Sequence, residues 1–165
     1  MVDFNRLLDE HGSLVLRISW RILGNRADVE DNVQDVFLRA IQIQGREKVR
    51  HWRGLLRRLA TFGALERLRQ HRNHLGLEDV SPADPGEAPD ESAMRHELQA
   101  RLRDAMAILP EREGAVFSLR YFEGMTLNEI AESLGISYAA AGTALSRARS
   151  KLESFISHAT TEDDR

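Results

Sequence analysis

The chain has 165 residues, 42% hydrophobic and 30% charged, with 11 Gly, 4 Pro, no Cys and a formal net charge of −3. Without Cys there is no disulfide scaffold, thiolate metal site or cysteine nucleophile, and no apolar run approaches the roughly 18 residues that span a bilayer. The start, Met1-Val2-Asp3-Phe4-Asn5, lacks the basic and apolar stretches of a signal peptide, so a soluble, cytoplasmic chain with no membrane insertion is expected.

In chain order, Phe4, Leu7, Leu8, His11, Val15, Ile18 and Ile22 step by threes and fours and predict a helix closed by Gly24-Asn25. Val29, Val33, Val36, Phe37, Ala40 and Ile41 predict a second helix, with Asp28, Glu30 and Asp31 in its first turn, where the helix dipole favours acids. The polar stretch Gln42–Arg50, with Gly45 inside it, reads as a loop. Trp52, Leu55, Leu56, Leu59, Phe62 and Leu68 predict a third helix facing inward. Period-two alternation is absent, so strands are not expected.

Residues 74–92 hold Pro82, Pro85, Pro89, two glycines, six acids and no Lys or Arg. Such a stretch buries too little apolar surface to offset its ordering entropy, and it reads as a flexible acidic linker. Beyond it, Met94, Leu98, Leu102, Ala105 and Leu109 form one helical stripe, which Pro110 stops while suiting the first turn of the next helix. Val116, Phe117 and Tyr121 mark that helix, which ends near Gly124. Thr126-Leu127-Asn128-Glu129 has the pattern of a capping box, with Ile130, Ala131 and Leu134 as the inner face behind it. Gly135 supplies a left-handed turn, Ser137 caps again, and Ala141, Leu145, Ala148, Leu152 and Ile156 line the last helix. The expected fold class is all-α: two small helical domains, 1–73 and 93–158, joined by the linker 74–92 and followed by an acidic tail, 159–165.

Charge is segregated along this plan. Residues 1–73 carry 14 Lys/Arg against 9 Asp/Glu, whereas 93–158 carry eight of each. Segregation of this kind suggests different partners for different parts, and the weakly acidic total does not argue against nucleic acid. Residues 46–72 alone hold nine Lys/Arg against Glu47 and Glu66, an electrostatic footprint for phosphates. Trp52 suits either stacking on a base or a core position at a helix start. The block 126–149 has the form of a helix-turn-helix. Its outer face carries Tyr138, Ala139, Gly142, Thr143 and Ser146, with Arg147, Arg149 and Lys151 placed to reach phosphates. A hairpin used only for packing is the competing reading. His71-x-x-His74 lacks the acid or Cys partners of a metal site, and no nucleotide-binding loop or nucleophile elbow is present. No metal, cofactor or enzymatic activity is expected.

Four blocks resemble the fourth conserved region of bacterial sigma factors, most of all the extracytoplasmic-function group: Leu109-Pro110-Glu111-Arg112, Leu119 to Thr126, Glu129 to Ser137, and Leu145-Ser146-Arg147-Ala148-Arg149. Independently, Ala27-Asp28-Val29-Glu30-Asp31-Asn32-Val33-Gln34-Asp35-Val36-Phe37-Leu38-Arg39-Ala40 resembles that family's second region. Charged helix faces are usually just solvated, but the resemblance implies that Glu30, Asp31, Gln34, Asp35 and Arg39 dock on core RNA polymerase. It implies minus-ten promoter contacts by Gln44, Arg46, Lys48, Arg53, Arg57, Arg58, Arg67 and Arg69, with the Gln42–Arg50 loop where the family captures a flipped base. It implies minus-thirty-five contacts by Ser137, Tyr138, Ala139, Gly142, Thr143, Ser146, Arg147 and Arg149, and an anti-sigma factor as regulator.

The sequence also departs from the family. Leu55-Leu56 and Phe62 stand where a Trp-Leu and an Asn are common. Ala140-Ala141-Gly142-Thr143-Ala144 stands where Thr-Val-Lys-Ser-Arg is common, so two cations are missing from the expected groove face. Weak or unusual minus-thirty-five preference follows, and Gly142→Lys with Ala144→Arg is expected to strengthen promoter binding. The alternatives are an adaptor that binds polymerase or another protein without reading promoters, and a stand-alone helix-turn-helix regulator.

Overall fold

A computed structural model of the chain describes residues 2–74 and 91–162. The described residues form seven helices and no strand: α1 (Phe4–Leu23), α2 (Arg26–Gln44), α3 (Trp52–His74), α4 (Glu91–Ala107), α5 (Glu111–Tyr121), α6 (Leu127–Leu134) and α7 (Tyr138–Glu162). Most of the expected linker, 75–90, lies outside the described residues, as do 163–165 of the expected tail. Residues 91 and 92 open α4, and the α7 backbone continues through 159–162.

Local signals explain the boundaries. Asp3 caps α1 by accepting from the Asn5 amide at 3.2 Å. Gly24, at φ +67°, ends α1 and donates its N–H to the Trp20 carbonyl. Asn25 then caps α2 by accepting from the Asp28 amide at 3.0 Å. α2 runs further than its apolar stripe suggests, because Gly45 keeps right-handed geometry and donates to Ile41 O at 3.0 Å. The connection to α3 is therefore shorter than Gln42–Arg50, and Gln42 to Gln44 are helical. Pro110 sits at the N-cap of α5, one position ahead of its first turn.

Helices α1, α2 and α3 pack on one another through Leu7, Val15, Ile18, Ile22, Val29, Val36, Phe37, Leu56, Ala60, Ala64 and Leu65, all buried. The same core continues through Ala105, Met106, Leu109, Ala115, Ala148 and Leu152, so it draws on residues from both sides of 75–90. A second, smaller core joins Val116, Leu119, Met125, Ile130, Ala144 and Leu145. At the crossing of the first three helices lies a buried polar group. Asn32 Nδ2 donates to Ser19 Oγ at 2.9 Å and to the Ala60 carbonyl at 3.2 Å, while Ser19 Oγ donates to Val15 O. Gly63 packs against this amide so closely that a Cβ there would stand 2.4 Å from Asn32 Oδ1.

Several expected core positions lie elsewhere. Met94 and Leu98 are 75% and 60% exposed, and α4 joins the core only from Leu102 onward. Tyr121 and Ile156 are exposed, with Phe155 making the last α7 contact to the core. Leu55 is only partly buried. Helical spacing marks a face, but the face is buried only where another helix lies opposite.

Candidate nucleic-acid interface

On α2, Glu30, Asp31, Gln34, Asp35 and Arg39 are all exposed. Glu30 pairs with Arg26 at 2.7 Å, and Arg67 of α3 bridges Asp31, at 4.0 Å, and Asp35. Exposed ion pairs of this kind add little stability. Beside Glu30 and Gln34 lies an apolar groove of about 350 Å³ lined by Phe4, Leu8, Leu16, Val33, Phe37 and Leu38. Phe4, Leu16 and Leu38 remain 40%, 44% and 51% exposed. Sequence reasoning placed Phe4 and Leu8 on the core stripe and assigned no role to Leu16 or Leu38. The available signal was that both leucines fall off the apolar stripes of their helices. An apolar patch with a polar rim is the usual form of a docking surface.

The basic candidates fall into two groups. Arg46 and Lys48, in the α2–α3 connection, and Arg53, in the first turn of α3, are exposed. The others have partners within the chain. Gln44 Nε2 donates to Val2 O at 3.3 Å, Arg69 pairs with Glu66 at 3.2 Å, and Arg67 is held by the α2 acids. Arg57 Nη1 lies 3.5 Å from Met125 Sδ, and Arg58 Nη1 donates to the Ser133 carbonyl at 3.1 Å. Trp52 is half-buried against the first core, which favours the core reading.

The α6–turn–α7 unit has the geometry its sequence announces. Thr126 Oγ1 accepts from the Glu129 amide and Glu129 Oε2 accepts from the Thr126 amide, both at 3.2 Å. Gly135 takes φ +64°, and Ser137 Oγ accepts from the Ala140 amide at 3.0 Å. Tyr138, Ala139, Thr143, Ser146, Arg147 and Arg149 are exposed along one end of α7, and a Cβ at Gly142 would meet nothing within 4 Å. Arg149 lies over the Tyr121 ring, 5.3 Å from its centroid, and Nε donates to the Tyr121 hydroxyl, so Tyr121 sets where this cation points. Ala144 corrects the sequence reading. It is 5% exposed and belongs to the second core, three residues from buried Ala141 and one from buried Leu145. Only the cation absent at Gly142 is therefore missing from the exposed face that the sequence reading expects to meet the groove.

Of the histidine pair, His71 Nδ1 lies 3.4 Å from Asp28 Oδ2 and His74 Nδ1 lies 2.9 Å from Gln70 O, so the two rings have different neighbours. Among the described residues no helix is long and apolar enough to cross a membrane.

Residues 7–74 match the family described as Sigma-70 region 2, and residues 99–152 match Sigma-70, region 4. A region-2 helical unit followed by a region-4 helix-turn-helix defines a sigma-70 type factor. SigL of Mycobacterium tuberculosis is 34% identical over 148 residues, covering 86% of this chain and 80% of that protein. SigW of Bacillus subtilis is 26% identical, covering 90% of this chain and 86% of that one. SigE of Mycolicibacterium smegmatis is 27% identical and covers 98% of this chain, which spans 65% of the length of that relative. The chain belongs to the ECF RNA polymerase sigma factor family. Two solved structures share its fold. CnrH in complex with the cytosolic domain of CnrY has a TM-score of 0.59 at 24% identity, covering 94% of this chain and 88% of that one. RpoE of Bartonella quintana, in complex with the anti-sigma factor NepR, has a TM-score of 0.56 at 17% identity, covering 94% and 97%.

Proposed function

We propose that the chain directs promoter-specific transcription initiation by binding core RNA polymerase, engaging minus-ten and minus-thirty-five DNA and helping to melt the duplex. The acidic α2 face and its apolar groove dock on the polymerase. The α2–α3 connection and the start of α3 take the minus-ten strand, with Arg46, Lys48 and Arg53 neutralising phosphates. The exposed end of α7 enters the major groove at minus thirty-five. Its Ala, Gly and Thr side chains offer close approach and methyl contacts but few base-edge hydrogen bonds, so sequence preference there is weak. Melting proceeds by positioning and strand capture, with no covalent step and no cofactor. The factor works in the cytoplasm, and an anti-sigma protein of the kind seen with RpoE of Bartonella quintana is its regulator.

The observation that supports this most is that residues 7–74 match Sigma-70 region 2 and residues 99–152 match Sigma-70, region 4, in that order on one chain. Transcription with purified core polymerase on fragmented genomic DNA tests it. Discrete new start sites sharing a pair of upstream elements are expected. Core binding without new starts would replace this reading with the adaptor, and no core binding would remove both.

A further inference from the structure

Helix α5 meets two cations of α7 and holds them in different ways. Lys151 Nζ lies 3.0 and 2.7 Å from the two carboxylate oxygens of Glu113, whose side chain is 10% exposed. Such charge-assisted pairs are strong, so a phosphate has to compete with Glu113 for this lysine. Arg149 has a neutral partner instead. Its guanidinium carbon lies 5.3 Å from the centroid of the Tyr121 ring, and its Nε donates to the Tyr121 hydroxyl. Tyr121 is the last residue of α5 and is 46% exposed. Its ring rests on Phe117, one turn earlier, with the two centroids 4.7 Å apart. Phe117 is in turn packed against both buried cores. A continuous line of contact thus runs from the cores through Phe117 and Tyr121 to a surface cation.

The two partners have opposite electrostatic consequences. A carboxylate cancels the charge of the lysine it holds, whereas a phenol ring restrains an arginine and leaves its full positive charge. Fixing a free arginine costs rotamer entropy, and a side chain ordered before binding does not lose that freedom at binding. With Nε committed to the Tyr121 hydroxyl, the two Nη groups remain as the paired donors that suit a phosphate. We infer that Tyr121 is a positioning residue, which presents Arg149 in advance to a backbone phosphate beside the minus-thirty-five groove, while Glu113 keeps Lys151 out of that contact. Helix α5 therefore decides which α7 cation meets DNA. The inference rests on the reading of α7 as a DNA face.

In the free full chain, the nuclear magnetic resonance of the Arg149 Nε–H is expected to be displaced from the usual arginine position by the Tyr121 ring, and to return there in Tyr121→Leu. Its loss in Arg149→Lys identifies it. Holoenzyme made from core polymerase and the full chain is then titrated, at several salt concentrations, with a promoter fragment recovered by start-site mapping. Tyr121→Leu is expected to weaken binding about two- to tenfold at unchanged salt slope, because ordering is lost and charge is not. Arg149→Ala is expected to lower the log–log slope by about 0.9, and Tyr121→Leu to have no further effect in that background. Tyr121→Phe keeps the ring and is expected to recover part of the affinity. It takes the place of Tyr121→Leu should that variant lose helicity by circular dichroism. Glu113→Gln, which keeps the shape and removes the charge, is expected to release Lys151 and steepen the slope by about 0.9. An undisplaced resonance in the parent, unchanged affinity in Tyr121→Leu, or a loss that persists in the Arg149→Ala background overturns the positioning role. An unchanged slope in Glu113→Gln overturns the role given to Glu113. If Arg149→Ala alters neither affinity nor slope, the reading of α7 as a DNA face fails at this residue instead, since the resonance is read without DNA.

Discussion

Gly63→Ala sets two effects of opposite sign against each other. In an ordinary helix interior, alanine in place of glycine gains about 1 kcal/mol. At Gly63 the added Cβ would lie 2.4 Å from Asn32 Oδ1. The amide cannot swing aside cheaply, because Asn32 is 1% exposed and its Nδ2 is committed to Ser19 Oγ and the Ala60 carbonyl. Forcing extra volume into a packed interior costs about 1–3 kcal/mol, and stranding the amide and its partners costs about 1–3 kcal/mol more. The net expectation is a loss of about 3 kcal/mol, a large part of the roughly 5–15 kcal/mol that holds a typical domain together. Urea unfolding followed by circular dichroism measures it as a lowered midpoint at unchanged slope. Gly12→Ala, in α1 with nothing within 4 Å of the new Cβ, is the control and should gain about 0.5–1 kcal/mol. If Gly63→Ala proves as stable as the parent, the Asn32 amide relocates freely and does not fix the crossing of α1, α2 and α3.

Two further outcomes separate the faces. Gly142→Lys should tighten binding to duplex carrying a minus-thirty-five element and steepen the salt dependence by about 0.9 in log–log slope. Ala144→Arg should instead cost about 3 kcal/mol by putting a charge into the second core, and anisotropy titrations with thermal melts check the pair. Leu38→Glu, at a residue 51% exposed on the groove, should leave stability within about 0.5 kcal/mol and weaken core polymerase binding about tenfold or more. Unchanged affinity would take the groove out of the docking surface.

The helices with strong caps were readable because capping chemistry is local. Thr126, Glu129, Gly135 and Ser137 act within a turn of their own position, and the structure shows each doing so. Burial was less readable, since it depends on what lies opposite. Met94 and Leu98 repeat the apolar spacing of Ala105 and Leu109, yet only the latter pair is buried. Ala144 shows the same limit from the other side. A family pattern suggested a groove position, but the angular step from Ala141 turns it inward. Among the basic residues, composition gives their number but not their neighbours, because Arg57, Arg58 and Arg67 find acids, a sulfur or a carbonyl far away in sequence. The burial of the Glu123 side chain was invisible for the same reason: its three arginine neighbours, Arg17, Arg21 and Arg57, come from α1 and α3.

Helix α7 is seated in both cores, through Ala144 and Leu145 in one and Ala148 and Leu152 in the other. Leu152 lies about 21 Å from Tyr138 along the helix at 1.5 Å per residue, with both cores gripping the stretch between them. A tilt of about 10° about Leu152 moves the tip by about 4 Å, close to the roughly 3.4 Å between successive base pairs. Under the proposed minus-thirty-five reading, packing beneath Leu152 therefore sets the register of Tyr138 on the duplex from a distance, without any change in the exposed end of α7.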